Sequence, residues 1–258
     1  MKLLPLEQIE RATGAEFQEF ARRLTPVVLK GLAQEWPAVR LWSWSYLRQH
    51  FGHLPTLVRG SDKAIDVFFN NKVPYLQMTF GEYLDVILDP QPDRSRPYFG
   101  NFELNKENPT IGPMLAHLSF PDFFPGSAHR LTRIWIGAAG QQSTIHNDNY
   151  DNLNAQILGA KRFLLFSPRE YAKLYAERIN ENLWASPVDP TAPDLDRFSA
   201  FADIQGFECA LEPGDLLYIP SFWWHHAQAM TPCVNVNAWH SPADNRKRYW
   251  HEYVTSDL

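Results

Sequence analysis

Hydrophobic and polar positions in the first third of the chain alternate mostly at helical spacing, with short apolar runs between them. Apolar residues three or four positions apart predict helices, and short apolar runs closed by glycine or proline predict strands. Thr79 and Glu82 stand three positions apart, so a capping box marks the start of one helix. The predicted elements are a helix over Leu6–Leu24, a strand over Pro26–Gly31, a helix from Ser43 or Ser45 to His50, strands over Leu57–Arg59 and Ile65–Phe69, and a helix from Thr79 through Leu88.

From Arg133 onward the pattern changes to short β-rich runs that are bounded by Gly, Pro or Asn. A helix over Pro168–Arg178 is predicted to interrupt these runs, and the proline-rich segments 89–97 and 186–193 are predicted to be loops. Many short strands at close spacing favour a barrel or a sandwich. The predicted strands are Ile134–Gly137, Asn152–Leu158, Arg162–Phe166, Leu216–Ile219 and Val234–Trp239.

A length of 258 residues fits one β barrel with its flanking helices. We therefore predict a single domain over residues 1–258, because no linker composition separates its parts. Within it we expect a mixed α/β flank over 1–125, a β-barrel core over 126–242 and a C-terminal helix over 243–258.

Composition and charge narrow the class of protein. With 45% hydrophobic and 21% charged residues, the chain is not of the disordered type. It has no run of roughly 18 apolar residues, and Glu7 and Glu10 interrupt its first segment, so neither a membrane span nor a signal peptide is expected. Two cysteines give no disulfide framework, which fits a cytoplasmic protein. The net charge of −5 counts against broad electrostatic binding of nucleic acid.

The segment Gln142–Asn152 contains one histidine and two aspartates. Residues two apart on an extended segment point to the same side, so His146 and Asp148 converge, whereas Asp151 needs a turn to join them. This pair can supply two ligands of the 2-His-1-carboxylate set that is typical of non-haem Fe(II) oxygenases. The spacing alone is weak evidence, because a chain with nine histidines contains such pairs by chance.

A third ligand is suggested by two adjacent histidines that follow a predicted strand. His225 and His226 come directly after Trp223 and Trp224. Neighbours on an extended segment face opposite ways, so one of the two histidines can point into a barrel. The alternative is that both are ordinary histidines of an aromatic cluster or of the surface.

One face of the strand over Asn152–Leu158 is polar, because Asn152, Asn154 and Gln156 alternate with apolar residues. A two-residue hairpin after Leu158 would pair Leu158 with Lys161 and place Lys161 on the face of the three amides. A polar inner face with one ammonium group suits a small carboxylate ligand. The alternative is an outward, solvated face on a sheet whose other side is the core.

Together, these residues resemble the JmjC/cupin-like family of Fe(II)- and 2-oxoglutarate-dependent oxygenases, in particular a branch with asparaginyl and tRNA-base hydroxylases. The resemblance covers most of the chain, and the ordered set of segments is more specific than any one of them. The matching segments are Pro26–Gly31, Trp36–Ala38, His146–Asp148, Gly159–Pro168, Pro193–Phe198, Pro213–Pro220, Trp223–His226 and Val236–Trp239.

The resemblance implies a mainly β fold with a helical flank, built as a double-stranded β-helix of the jelly-roll or cupin type. It implies that iron is held by His146, Asp148 and His225, since the first histidine of the family's Trp-Trp-His-His pattern is the ligand. The residues that it implies for binding 2-oxoglutarate are Lys161, Ser143, Asn152, Asn237, Tyr98 and Trp239. Asn147 and Asn154 stand where the asparaginyl hydroxylase has aromatic residues. The change at 154 is expected to alter the shape of the co-substrate pocket, and position 147 lies near the substrate, so the substrate is not carried over from that enzyme.

The activity that the resemblance implies is hydroxylation of a prime substrate, with release of succinate and CO2. A protein or peptide side chain is the first expectation for that substrate, a modified tRNA base the second and a small metabolite the third. The expected protein is a monomer or a small homo-oligomer without a membrane partner. Two alternatives stay open, namely a metal-dependent cupin enzyme that does not use 2-oxoglutarate and a non-catalytic cupin binding module.

Overall fold

A computed structural model describes residues 1–60, 69, 73–89, 99–104, 112–124, 126, 128–180 and 183–241. The strands in these ranges are β1 (Lys2–Pro5), β2 (Gln8–Glu10), β3 (Val27–Lys30), β4 (Pro55–Arg59), β5 (Tyr75–Thr79), β6 (Phe99–Leu104), β7 (His129–Gly137), β8 (His146–Asp148), β9 (Asp151–Leu158), β10 (Lys161–Phe166), β11 (Glu177–Asn180), β12 (Leu183–Ala185), β13 (Gln205–Leu211), β14 (Leu216–Ile219), β15 (Trp224–Ala229) and β16 (Cys233–His240). The α-helices are α1 (Gly14–Arg23), α2 (Pro37–Leu41), α3 (Trp44–Phe51) and α4 (Phe80–Leu88), and three 3-10 helices span Gly112–His117, Pro168–Leu174 and Ser199–Asp203.

The strands form two seven-stranded sheets and one separate pair, β4 with β5. Sheet I has the strand order β1-β13-β10-β15-β8-β12-β11, and sheet II has the order β2-β3-β14-β9-β16-β7-β6. Neighbouring strands run antiparallel except at β1 with β13 and at β2 with β3. The two parallel pairs are made by the first strands of the chain, which extend both sheets.

The two sheets pack face to face around a shared apolar core. Phe163 and Leu165 of sheet I pack there with Val28, Leu217 and Ile219 of sheet II. This arrangement confirms the predicted mainly β fold of the jelly-roll class. The space between the sheets is called the inner space below.

Each sheet is also covered on its outer face, because helices and a long insertion pack against it. Phe17 of α1 and Leu84 of α4 pack with Ile136 and Val236 of sheet II. The segment between β10 and β13 covers sheet I, where Phe201 packs in the cluster of buried residues that contains Phe166. Polar residues on the inner face are therefore buried too.

The predicted helix over Leu6–Leu24 is wrong in its first half. Residues before Thr13 form β1 and β2, and α1 begins only after Thr13, whose side chain and that of Glu16 form a capping box. Pairing of β1 with β13 and of β2 with β3 outweighs the helical spacing, because the sheet edges satisfy the backbone groups of this segment.

Most other local predictions agree with the structure, including β3, α3 with Ser43 as its cap, and α4 with its capping box. The helix predicted over Pro168–Arg178 is instead a 3-10 helix over Pro168–Leu174, followed by β11. Residues 65–68, 90–97 and 243–258 lie outside the described residues, as do the strand, loop and helix predicted there. Within the described ranges, no helix has the length and apolar character of a membrane span.

Candidate active site

Two histidines and one aspartate meet on the inner face of sheet I. The register of β15 with β8 places His225 opposite His146, and Asp148 lies two residues further along the same face of β8. One ligand atom of each side chain lies within 4.8 Å of the corresponding atoms of the other two. The imidazole centroids are 4.3 Å apart, and His225 Nε2 lies 3.8 Å from Asp148 Oδ2. The structure therefore brings together the three predicted iron ligands.

Backbone carbonyl groups orient both imidazoles of this triad. His146 Nδ1 lies 2.8 Å from the carbonyl oxygen of Thr144, and His225 Nδ1 lies 3.1 Å from that of Trp223. A carbonyl oxygen only accepts, so each Nδ1 carries the proton and each Nε2 keeps its lone pair. This hydrogen-bond pattern is typical of metal-binding histidines.

The turn before β15 also holds the backbone of the aspartate of the triad. The backbone N–H of Phe222 donates to the carbonyl oxygen of Asp148 at 2.7 Å. Phe222 has a φ of +69°, which is strained for a bulky side chain. Such strain persists only where surrounding contacts impose it. Here the hydrogen bond of Phe222 joins the turn before His225 to the strand of Asp148.

Burial shifts the pKa values of Asp148 and His225 in opposite directions. It raises the pKa of Asp148, while His146 and Arg133 act to lower that pKa. It lowers the pKa of His225 well below the usual value, and His146 adds to this effect. Neutral imidazole is the form that binds a metal ion, and a bound cation would also favour the ionised carboxylate.

His226 faces away from the triad. Its Nδ1 lies 2.6 Å from the carbonyl oxygen of Ser143, and the residue lies opposite Leu164, whose side chain packs on the outer face of sheet I. Trp224 is also buried on that outer face, whereas Trp223 packs beside the inner core and donates from Nε1 to the carbonyl oxygen of Leu24 at 2.8 Å. The two tryptophans thus support the ligand strand from both sides.

Lys161 points into the inner space, but not through the predicted hairpin. That hairpin is wrong, because β9 pairs with β14 and β16 of sheet II while β10 pairs with β13 and β15 of sheet I. The chain changes sheets at Gly159, where φ is +69° and an added Cβ would lie 2.1 Å from the carbonyl oxygen of Pro232. Lys161 therefore faces the amides of β9 across the inner space.

The Lys161 ammonium group is deeply buried, with 7% of the residue exposed. Burial lowers its pKa, and the nearby Cys233 acts in the opposite direction. Among the described residues no carboxylate pairs with Lys161, and its Nζ lies 5.9 Å from the centroid of the Phe163 ring. A buried cation of this kind favours an anionic ligand.

The polar face of sheet II is a hydrogen-bonded network. Trp135 Nε1 donates to Asn237 Oδ1 at 2.8 Å, and Asn237 Nδ2 donates to Asn152 Oδ1 at 3.1 Å. Both predicted amides are buried in this network. Asn154 is buried beside them, and its Nδ2 has no hydrogen-bond partner in the described part of the chain.

Trp239 lies between two side chains next to the triad. Its ring stacks on that of Tyr150 at a centroid distance of 5.5 Å, and the Arg133 guanidinium carbon lies 5.0 Å from the ring centroid. Tyr150 follows Asp148 by two residues, and Arg133 acts on the pKa of that carboxylate. Trp239 therefore has a place beside the predicted metal centre.

The last two predicted co-substrate residues are Ser143 and Tyr98. Ser143 Oγ accepts a hydrogen bond from the backbone N–H of Ala227 at 2.9 Å, and Ser143 is not among the residues that line the pocket beside Lys161. Tyr98 lies outside the described residues. The sequence interpretation missed Trp135 as part of the amide network, although its alternation with Ile134 and Ile136 was a usable signal.

Comparison with protein families adds to this geometry. A family model described as a cupin-like domain matches residues 13–246, which is most of the chain. The chain belongs to this cupin-like family. The JmjC/cupin-like resemblance of the sequence is thereby confirmed, and JmjC proteins are among its relatives.

Relatives of this family member come from several eukaryotes. Lysine-specific demethylase 8 of Xenopus tropicalis is 30% identical over 218 residues, which cover 84% of this chain and 48% of that protein. The human protein named bifunctional peptidase and (3S)-lysyl hydroxylase JMJD7 is 28% identical over 260 residues, covering 90% of this chain and 82% of the relative. Human HSPB1-associated protein 1 is 30% identical over 235 residues, or 83% of this chain and 47% of the relative. The chain thus spans about half the length of two of these three relatives.

Proposed function

We propose that this chain is an Fe(II)- and 2-oxoglutarate-dependent oxygenase that hydroxylates a side chain of a protein or peptide. The observation that carries the proposal is the convergence of His146, Asp148 and His225 in the inner space, with the buried Lys161 facing the same space. The first group suits a metal ion and the second suits the carboxylate of a co-substrate.

The triad fits iron by the chemistry of its donors. Two imidazoles and one carboxylate form the facial set that leaves positions open for further ligands. The carbonyl groups of Thr144 and Trp223 hold the two imidazoles in the tautomer that binds through Nε2. His146, Asp148 and His225 would therefore hold Fe(II), and none of them needs to act as a general base.

The chemistry that Fe(II) and 2-oxoglutarate would supply is a coupled oxidation, in which O2, 2-oxoglutarate and a substrate C–H group give succinate, CO2 and a C–OH group. The protein contributes binding and orientation. Lys161 would pair with the distal carboxylate of 2-oxoglutarate, since its ammonium group is buried and no carboxylate in the described part of the chain pairs with it.

The amide network and the apolar core would complete the co-substrate site. Asn237 is held between Trp135 and Asn152, so it orients the Asn152 amide, whose Nδ2 would donate to a ligand oxygen. Phe163 and Leu165 form an apolar wall on the opposite sheet. A wall of this kind excludes bulk water and strengthens the pairing of Lys161 with an anion.

The names of the relatives support a protein substrate. One is called a lysine-specific demethylase and another a lysyl hydroxylase. Hydroxylation of a protein side chain is accordingly the proposed reaction.

The experiment that tests this function is anaerobic loading of the protein with Fe(II) and 2-oxoglutarate, followed by exposure to O2 and measurement of succinate. Cell-extract fractions of protein, RNA and small metabolites are added separately. We expect succinate to require both iron and 2-oxoglutarate and to increase with the protein fraction. His146→Ala should abolish succinate formation, whereas His50→Ala, an exposed histidine on α3, should leave it unchanged.

The other outcomes separate the alternatives. Stimulation by the RNA fraction alone would support a tRNA-base hydroxylase and contradict a protein substrate. Tight metal binding without 2-oxoglutarate turnover in any fraction would contradict the proposed function and favour a different metal-dependent cupin or a binding module. Activity of His146→Ala near that of the unchanged protein would remove the triad from consideration.

A further inference from the structure

The pocket beside Lys161 is also lined by two glutamines, Gln141 and Gln142, which neither the sequence interpretation nor the triad explains, and Gln141 is the more deeply buried of the two. Gln141 lines this pocket together with Lys161, Trp135 and Cys233. The pocket lies at the end of the inner space where β10 begins and β15 ends. Its side chain is as deeply buried as that of Lys161, with 7% of the residue exposed.

The backbone of Gln141 is fixed next to the strand pair that carries Lys161. Ala229 donates its N–H to the carbonyl oxygen of Gln141 at 2.8 Å, and Ala229 is the register partner of Lys161. Gly140, with a φ of +83°, donates its own N–H to the carbonyl oxygen of Ala229 at 2.8 Å. These bonds hold the turn against β15 and so fix the position of the Gln141 backbone, from which the side chain extends.

Neither polar atom of the Gln141 amide has a hydrogen-bond partner among the described residues. A buried amide without partners is costly, and a buried ammonium without an anion is more so. One carboxylate group would remove the cost of the ammonium group and of the Gln141 Nε2 donor, because it accepts several hydrogen bonds and these two groups only donate, whereas the Oε1 acceptor of Gln141 would still need a donor. The buried ammonium group of Lys161 and the Nε2 donor of Gln141 therefore match a carboxylate better than a neutral ligand.

Ser143 is another candidate donor to that carboxylate. Its hydroxyl oxygen accepts a hydrogen bond from the backbone N–H of Ala227 and its O–H can still donate, but its side chain is not on the wall of the Lys161 pocket. Gln141 lies two residues before it and does line the wall.

We propose that Gln141 binds the distal carboxylate of the co-substrate together with Lys161, and that it contributes to the selection of a 2-oxo dicarboxylate over a 2-oxo monocarboxylate. This inference rests on the proposed function, because it concerns the co-substrate of the same site. It assigns to Gln141 a specificity role that depends on hydrogen bonding and not on charge.

The test measures binding and does not need turnover. Protein loaded with Mn(II) is titrated without O2 against 2-oxoglutarate and against 2-oxopentanoate, which has the same carbon chain without the distal carboxylate. Gln141→Leu should raise the Kd for 2-oxoglutarate about tenfold or more, as expected for a lost hydrogen bond to a charged group. It should change the Kd for 2-oxopentanoate by less than about twofold, because that ligand has no distal carboxylate.

Three further variants sharpen the result. Gln228→Leu is the matched control, because Gln228 lies on β15 between the inward Ala227 and Ala229 and therefore on the outer face. Gln141→Glu keeps the size of the side chain if leucine disturbs the fold, and its charge should weaken 2-oxoglutarate binding further. Lys161→Met should remove most of the preference for the dicarboxylate.

The outcomes distinguish this inference from the proposed function. If the unchanged protein does not prefer 2-oxoglutarate over 2-oxopentanoate, the proposed function fails and the inference fails with it. If the unchanged protein shows the preference and Lys161→Met loses it, but Gln141→Leu and Gln141→Glu both keep it, the inference alone is overturned. Equal weakening of both ligands by Gln141→Leu would also overturn it, since that result indicates a structural role.

Discussion

Replacing His225 with alanine separates the predicted ligand from an adjacent residue of the same type. His225 and His226 are both buried, but His225 belongs to the triad and His226 lies on the outer face. Removing a side chain that only orients a metal ligand typically lowers metal affinity by about 10–100-fold. Loss of His225 itself should therefore lower the affinity by more than about 100-fold.

His226→Ala should act on stability instead. Burial lowers the pKa of His226 to about 4, so the imidazole is neutral near pH 7 and its removal changes no charge. The lost hydrogen bond from Nδ1 to Ser143 is worth about 1 kcal/mol. The void left by the ring adds to this, and we expect a total loss of about 2–3 kcal/mol in the free energy of unfolding.

The two variants are compared by anaerobic titration with Co(II), whose visible absorption reports the ligand set, and by urea unfolding in the presence of a chelator. We expect His225→Ala to lose Co(II) binding and His226→Ala to retain it within about tenfold. The ligand assignment is refuted if His226→Ala loses the absorption and His225→Ala keeps it.

Three further predictions concern the co-substrate lysine, a helix cap and a strained turn. Burial lowers the pKa of Lys161 and a bound carboxylate would raise it, so calorimetric affinity for 2-oxoglutarate should fall as pH rises through the pKa of the free protein, and Lys161→Met should remove this dependence. Thr79→Ala should lower the free energy of unfolding by about 1 kcal/mol in urea, and Thr79→Ser should restore most of it. Because hydrogen bonds from Thr79 lower the pKa of Glu82, the part of the capping box made by the Glu82 carboxylate is present above the unfolded pKa of Glu82 and is lost as pH falls through its lower folded pKa. At Phe222, glycine should be more stable than alanine by about 1 kcal/mol in thermal unfolding, because only glycine adopts a positive φ freely, and equal stability would show that the turn relaxes.

Local elements were predictable wherever the deciding interactions are close in sequence. The capping box of Thr79 and Glu82 marks the start of α4 through contacts three residues apart. Strands such as β3 and β14 are apolar runs bounded by proline or glycine, and they lie where the pattern predicts them. These predictions succeed because the same residues both determine and form the element.

Pairing between distant segments was not predictable from the same patterns. β1 and β2 form because β13 and β3 offer them partners, and the helical spacing of the segment contains no trace of this. The hairpin expected at Gly159 failed for a related reason. A two-residue turn is compatible with either a hairpin or a change of sheet, and the close approach of Pro232 is visible only in three dimensions.

The candidate site shows the same division between local and distant information. His146 and Asp148 could be related by their spacing of two, since both belong to one strand. The choice of His225 over His226 needed either the family resemblance or the register of β15 with β8. Gln141 gave no signal at all, because it lies in a turn and its burial depends on the neighbouring end of β15.

The register of β15 is the feature on which the whole site depends. A slip of one residue would turn every side chain of the strand over and exchange His225 for His226 in the inner space. Trp224 is fully buried on the outer face, and Trp223 on the inner side donates a hydrogen bond from Nε1 to the carbonyl oxygen of Leu24. A slipped strand would have to move both indoles to the wrong faces. The two tryptophans therefore fix the register of β15, and this register places His225, and not His226, in the triad.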